Sequence, residues 1–181
     1  MKFDNNFDFS MGGKMPGLAG LNSDNNMNPS GCKAEGQRAD EGFSLRTMFR
    51  ENGRAMGYFY HQNNPNLNVS GGKKNCGEEI DYQHEGKNFS FQRNKTYLIE
   101  QYVKMNDANQ PNGIVTIHVN GHKVLERTNM VFGENRLYNI NHEFIYLWHG
   151  GNNSKWAVER DSTAYMDHFV LSDAPLSYRY N

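Results

Sequence analysis

Two alternating runs, Gly42–Phe49 and Ala55–His61, flank the tripeptide Glu51-Asn52-Gly53. Alternation of period two sends successive side chains to opposite faces of a strand, so GFSLRTMFRENGRAMGYFYH reads as an antiparallel hairpin. Turn length then decides which residues share a face, because a slip of one residue exchanges the faces. A two-residue Asn52-Gly53 turn would pair Arg46 with Phe59 and Leu45 with Tyr60, mixing core and polar groups on both sides. A three-residue turn with Gly53 in the left-handed region, as a G1 bulge, pairs Arg46 with Tyr58 and Ser44 with Tyr60. Phe43, Leu45, Phe49 and Phe59 then form a core face. The other face collects Ser44, Arg46, Met48, Arg50, Arg54, Met56, Tyr58 and Tyr60. Arg50 falls opposite Arg54, and like charges so placed repel unless something anionic lies across them. From spacing alone, this second face reads as solvated outer surface.

The rest of the chain follows the same period. Further strands are expected over Tyr97–Met105, Ile114–Val119, His122–Arg127, Glu143–His149 and Thr163–Leu171, separated by turn-rich segments such as NDANQPNG and HGGNNSKW. Gln62 to Arg93 is polar and rich in Gly and Asn, which predicts an extended loop with at most one short strand, bordering a site. The chain is therefore all-β. Its 181 residues, with 11 Phe and 10 Tyr, suffice for one domain with a substantial core.

Charge excludes several functions. A formal net charge of -1 gives no global field for nucleic acid, so any anion site must be local. No apolar run reaches the length of a membrane span, and the first residues carry no export signal. The seven His are scattered, without metal-site spacing, and no cofactor or metal is expected. The two cysteines, Cys32 and Cys76, leave one bridge or two free thiols. Both lie in Gly/Asn-rich loops, which favours an exposed pair joined in an oxidising compartment. The sequons at Asn68, Asn88, Asn94 and Asn152 arise by chance in so Asn-rich a chain.

Upstream of the hairpin lies FDFSMGGKMPGLAG, followed by Gly31-Cys32, the S-x-R of FSLRTMFR and the Y-x-Y of Tyr58–Tyr60. With IEQYVKMNDANQPNGIVTIHVNG, HGGN and the closing YMDHFVLS, this ordered set resembles polysaccharide lyase family 14, the alginate and glucuronate lyases. The resemblance runs over nearly the whole chain and implies a β-jelly roll with a concave cleft. It also implies that Lys14, Ser44, Arg46, Tyr58 and Tyr60 are the catalytic residues. The family's usual MWR is MFR here. Family members usually carry further sequence before the GGK strand, so an edge strand is expected to be missing or differently supplied within the single domain 1–181.

The chemistry suits these residue types. A lyase on a uronate polymer removes the C5 proton and expels the 4-O-linked sugar, so it needs a cation for the carboxylate, a base and an acid. Arg46 fits the first task, because a guanidinium stays charged and grips a carboxylate with a planar fork. Tyr58 and Tyr60 are candidates for base and acid, with Lys14 or Arg46 lowering a phenol's pKa, Ser44 orienting substrate or tyrosine, and Lys14 an alternative base. Arg50, Arg54, Tyr102, Lys104 and His118 are expected to contact substrate, whereas Lys73 and Lys74 in the long loop read more simply as a solvated charge pair than as contacts to a polyanion. Trp148 and His149 are expected to shape the end of a sheet.

The expectation is a monomeric, secreted or extracellular polysaccharide lyase acting by β-elimination on an anionic polymer, alginate first and a glucuronate polymer (glucuronan) second. A non-catalytic carbohydrate-binding jelly roll using the same face is the competing class. A Cys32–Cys76 bridge would tie two loops at the rim of the cleft.

Overall fold

The alternating stretches fold into antiparallel sheets that share an aromatic and aliphatic core. The computed structural model describes residues 1–21, 42–64, 77–133, 139–151 and 153–173. In chain order the strands are β1 (Lys2–Phe3), β2 (Gly13–Leu21), β3 (Gly42–Phe49), β4 (Ala55–Tyr60), β5 (Glu78–Asp81), β6 (Gln83–His84), β7 (Lys87–Asn88), β8 (Ile99–Lys104), β9 (Gly113–Val119), β10 (His122–Met130), β11 (His142–Phe144), β12 (Trp148–His149) and β13 (Ala164–Tyr165). The larger sheet runs β11-β2-β3-β4-β5, with β12 also on β2, and the second runs β10-β9-β8. Two small pairs, β1 with β13 and β6 with β7, complete the set. Among the described residues the only helical turns are short 3-10 segments at Glu51–Gly53 and Ser154–Trp156.

The opening hairpin takes the three-residue register. Ser44 lies opposite Tyr60, Leu45 opposite Phe59, Arg46 opposite Tyr58 and Met48 opposite Met56. Asn52 (φ 59°) and Gly53 (φ 73°) are both left-handed. Asn tolerates that region better than other side chains, whereas a Cβ on Gly53 would overlap the Phe91 carbonyl. The β9–β10 hairpin closes through Asn120 (φ 49°) and Gly121 (φ 80°), a two-residue turn whose twist matches the flanking strands.

Four elements differ from the period-two reading. GKMPGLAGL carries no clean alternation and is rich in Gly, yet it forms β2, a strand between β3 and β11. Glycine is required there by close approach: a Cβ on Gly17 would overlap the Leu45 carbonyl. Pro16 cannot donate a ladder bond, and the pairing of β2 with β3 shifts register between Lys14 and Gly17. On the other side of β2 the expected single strand Glu143–His149 is correspondingly split into β11 and β12. The expected loop Gln62–Arg93 contains β5, β6 and β7, and of Thr163–Leu171 only Ala164–Tyr165 pairs, because β1 offers two residues in register.

The core sits between the sheets. Phe43, Leu45, Phe49 and Phe59 are fully buried in one cluster with Val115, Ile117 and Val119 of β9 and Val124 and Leu125 of β10. The N-terminal segment closes one end: the rings of Phe3, Phe7 and Phe9 pack edge-on against Phe49 at 6.0, 5.4 and 5.4 Å. Each Phe so buried contributes about 1.5–3 kcal/mol.

Candidate functional site

Cross-strand register assembles the other face of the larger sheet in rows, since directly opposed residues share a face. One row runs Phe144–Gly17–Arg46–Tyr58–Glu79, a second Trp148–Lys14–Met48–Met56–Asp81, and a third Ala19–Ser44–Tyr60. Lys14, Ser44, Arg46, Tyr58 and Tyr60 are thereby gathered on one face, with the apolar core behind it. That face is not solvated surface: Arg46 is 1% exposed, Tyr58 8%, and Ser44, Met48 and Met56 are buried.

The electrostatics of this face differ from what sequence suggested. Lys14 Nζ lies 5.5 Å from the Tyr58 ring centre and 5.8 Å from that of Trp148. Burial, then the charges of Arg46 and Arg50, bring the Lys14 amine down to about 8. The expected low-pKa phenol is absent at Tyr58. Burial, the Tyr60 hydroxyl and the Glu79 charge push Tyr58 up, and the opposing backbone hydrogen bond from Gly77 does not offset them. Proximity of a cation lowers a phenol only when it outweighs desolvation, and here it does not. The Tyr58 and Tyr60 hydroxyls are 3.4 Å apart, their rings edge to face at 5.2 Å.

Arg46 lies under aromatic rings. Its guanidinium carbon is 4.3 Å from the Phe144 centre, 5.5 Å from Tyr146 and 5.9 Å from Trp148. With glycine at 17, no side chain separates Phe144 from Arg46 across the row. Burial lowers the Arg46 pKa, and a guanidinium so lowered is still charged at neutral pH. Phe144 and Tyr146 were not singled out in the sequence, although their i, i+2, i+4 spacing with Trp148 was there to read. Trp148 does more than shape the sheet end, while His149 does only that, stacked on Phe7 at 5.1 Å with its Nε2 2.6 Å from Asp8 O.

The remaining candidates are placed elsewhere or already engaged. Arg50 pairs with Glu79, and Arg54 Nη1 lies 3.5 Å from Asp81 Oδ2, so the anions across the two arginines are carboxylates of β5. Tyr102, Lys104 and His118 are opposite Thr116, Ile114 and Glu100, on the outer face of the second sheet. Their neighbours Val103, Val115 and Ile117 point into the core, so the whole core separates these three from Lys14 and Arg46, and Tyr102 is 47% exposed. Cys32, Cys76, Lys73 and Lys74 lie outside the described residues. Among the described residues no three His, Cys, Asp or Glu side chains form a metal-holding group.

Fold and site together define a β-sandwich protein with a buried cationic and aromatic face on its larger sheet. The chain belongs to the polysaccharide lyase 14 family, whose model matches residues 1–169. Solved alginate lyases share its jelly-roll fold. Alginate lyase Aly36B is 24% identical with a TM-score of 0.65, and the marine PL-14 alginate lyase from Aplysia kurodai is 25% identical with 0.64. Each match covers 89% of this chain and 62% of the other, so the chain spans less than two thirds of their length. Alginate lyase vAL-1 from Chlorella virus is 22% identical, with a TM-score of 0.55 over 78% of this chain and 56% of its own. No curated protein sequence matches the chain significantly.

Proposed function

We propose that this protein is a lyase that cleaves alginate by β-elimination, leaving a 4,5-unsaturated uronate at the new non-reducing end. The carrying observation is the convergence of Lys14, Arg46, Tyr58 and Tyr60 on one sheet face of a family 14 chain. Arg46 neutralises the substrate carboxylate, so that negative charge can develop toward the enolate. Lys14 Nζ, poised at about 8, takes the C5 proton in its neutral form. The C4–O4 bond then breaks, the C4=C5 bond forms, and the leaving O4 receives a proton from the tyrosine pair. A phenol pushed up by burial stays protonated and is fitted to be that acid rather than the base.

Because Arg46 is 1% exposed, a carboxylate reaches it only if groups covering it shift, the rings of Phe144, Tyr146 and Trp148 among them. Phe144 and Trp148 sit on pairings of three and two residues at the sheet edge, with Tyr146 between them outside either pairing. Structures of Aly36B mutants in complex with alginate trisaccharide and tetrasaccharide support alginate as the substrate. A polymeric substrate also favours action outside the cell.

The test is ultraviolet absorbance of the unsaturated product on incubation with alginate, polymannuronate, polyguluronate and glucuronan. Absorbance with alginate or its blocks is expected. A rise with glucuronan alone reassigns the substrate, and binding without any absorbance change makes the chain a carbohydrate-binding module.

A further inference from the structure

Strand β4 ends in Tyr60, and the next residue, His61, is buried with no part in the proton transfers above. Its Nε2 lies 2.6 Å from Glu78 Oε2 and its Nδ1 2.8 Å from Asn63 Oδ1. The orientation of Asn63 is set independently, since its side-chain nitrogen donates to Asn129 O at 2.8 Å and its Oδ1 accepts from the Val131 N–H at 2.9 Å. Arg127 of β10 donates from Nε to both Glu78 oxygens, at 3.0 and 3.3 Å. Glu78 is therefore gripped from two directions, by the end of β4 in one sheet and by β10 of the other. Burial works to raise its carboxyl, but His61 and then Arg127 outweigh burial and hold it below the usual carboxylate range.

Position in the fold gives this cluster its meaning. Glu78 opens β5, the edge strand, and lies opposite Phe59, while Glu79 lies opposite Tyr58. Gly77, one residue before, makes a backbone hydrogen bond to the Tyr58 hydroxyl. A Cβ on Gly77 would overlap the Tyr58 ring, so the two are in contact. A four-residue edge strand is prone to fray, and among the described residues only β4 backs it in the sheet. We propose that His61 and Arg127, acting through Glu78, are positioning residues that press Gly77 and Glu79 against Tyr58 and so fix its hydroxyl beside that of Tyr60. The catalytic meaning of this clamp rests on the lyase reading above; the contact itself does not. Buried ion clusters are weak stabilisers because desolvation offsets their attraction, so stability alone is a poor account of this one.

The experiment compares Glu78→Ala, Glu78→Gln, Tyr58→Phe and Glu78→Ala/Tyr58→Phe with the wild type. It reads kcat and KM on alginate, and follows the Tyr58 phenol by tyrosine ring-carbon NMR across pH. Displacement of a reacting group by about 1 Å costs on the order of a hundredfold in rate, so Glu78→Ala is expected to lower kcat by about that much with KM changed less than about twofold. Its Tyr58 resonance should titrate at lower pH than in the wild type, and Glu78→Gln, whose amide oxygen still accepts from Arg127 Nε while its NH2 faces the His61 Nε2 as a donor, should recover most of the rate. In the double variant the losses should not add, because both act at Tyr58. Unchanged kcat in Glu78→Ala, fully additive losses, or an unmoved Tyr58 resonance would each overturn the clamp. If Glu78→Ala does not fold, His61→Gln and Arg127→Lys each loosen one arm and are read against the same outcomes. A wild-type protein inactive on every uronate polymer sinks the lyase reading, while the Tyr58 resonance still decides the clamp.

Discussion

A lysine amine at its ordinary pKa of about 10.4 is protonated at neutral pH and cannot accept a proton. Burial beside Arg46 and Arg50 brings Lys14 to about 8, which fits it for the proposed role of base. As pH falls below that value, kcat/KM on alginate should drop about tenfold per unit, as measured in a pH–rate profile. Arg50→Gln removes one of the lowering charges and should move this limb to higher pH. The same shift has a cost in stability. Between about 8 and the ordinary lysine value the unfolded chain binds more protons than the folded one, so stability rises with pH across that window. Below it both states are charged, and the full penalty of burying the cation is present. Lys14→Met should therefore abolish turnover while stabilising the fold at pH 7 by about 1 kcal/mol, seen as about 2–4 °C in Tm. Tyr58→Phe and Tyr60→Phe should keep substrate binding and lose about a hundred- to ten-thousand-fold in turnover, whereas Arg46→Ala should weaken both. Near-normal turnover in both tyrosine variants and in Lys14→Met would remove this face from the mechanism.

At the scale of single elements, the β3–β4 turn governs the site because it sets the register. Gly53 is left-handed at φ 73° and its Cβ position is filled by the Phe91 carbonyl. Gly53→Ala is expected to destabilise the protein by about 2 kcal/mol in urea unfolding, combining backbone strain with the overlap. Strand β5 has a comparable control over Tyr58 through Gly77. Gly77→Ala should displace the ring and lower kcat on the order of a hundredfold while Tm changes little, which separates a positional effect from a loss of fold.

For the whole molecule, the larger sheet serves two purposes, one on each face. Its inner face joins the second sheet through Phe43, Leu45, Phe49 and Phe59, and the N-terminal Phe3, Phe7 and Phe9 seal one end of that core. Phe3→Ala should cost about 3–5 kcal/mol in urea unfolding, the range for truncating a fully buried Phe. Because the core lies between the site and the outer face of the second sheet, His118→Ala and Lys104→Ala should leave kcat/KM on alginate within about twofold. A larger loss in either would mean that substrate also reaches the second sheet.

The sequence by itself determined the all-β class, the extents of β3 and β4 nearly to the residue, their register, and that Ser44, Arg46, Tyr58 and Tyr60 share one face, whereas Lys14 joined them only through the family resemblance. Lys14 apart, these follow from period-two alternation and from a turn whose residues admit only one workable length, both local properties of the chain. Alternation did not show β2, which the resemblance alone marked as a strand: its glycines and proline erase the period, and its conformation is imposed by β3 and β11 on either side. Nor did it show that β5 carboxylates occupy Arg50 and Arg54, that Phe144, Tyr146 and Trp148 roof Arg46, or that His61 and Arg127 meet at Glu78. Each of those contacts joins residues from separate strands, outside any local pattern. The same is true of protonation: which group is the base depends on burial and on charges brought from other strands. Only the assembled sheet lowers Lys14 while raising Tyr58.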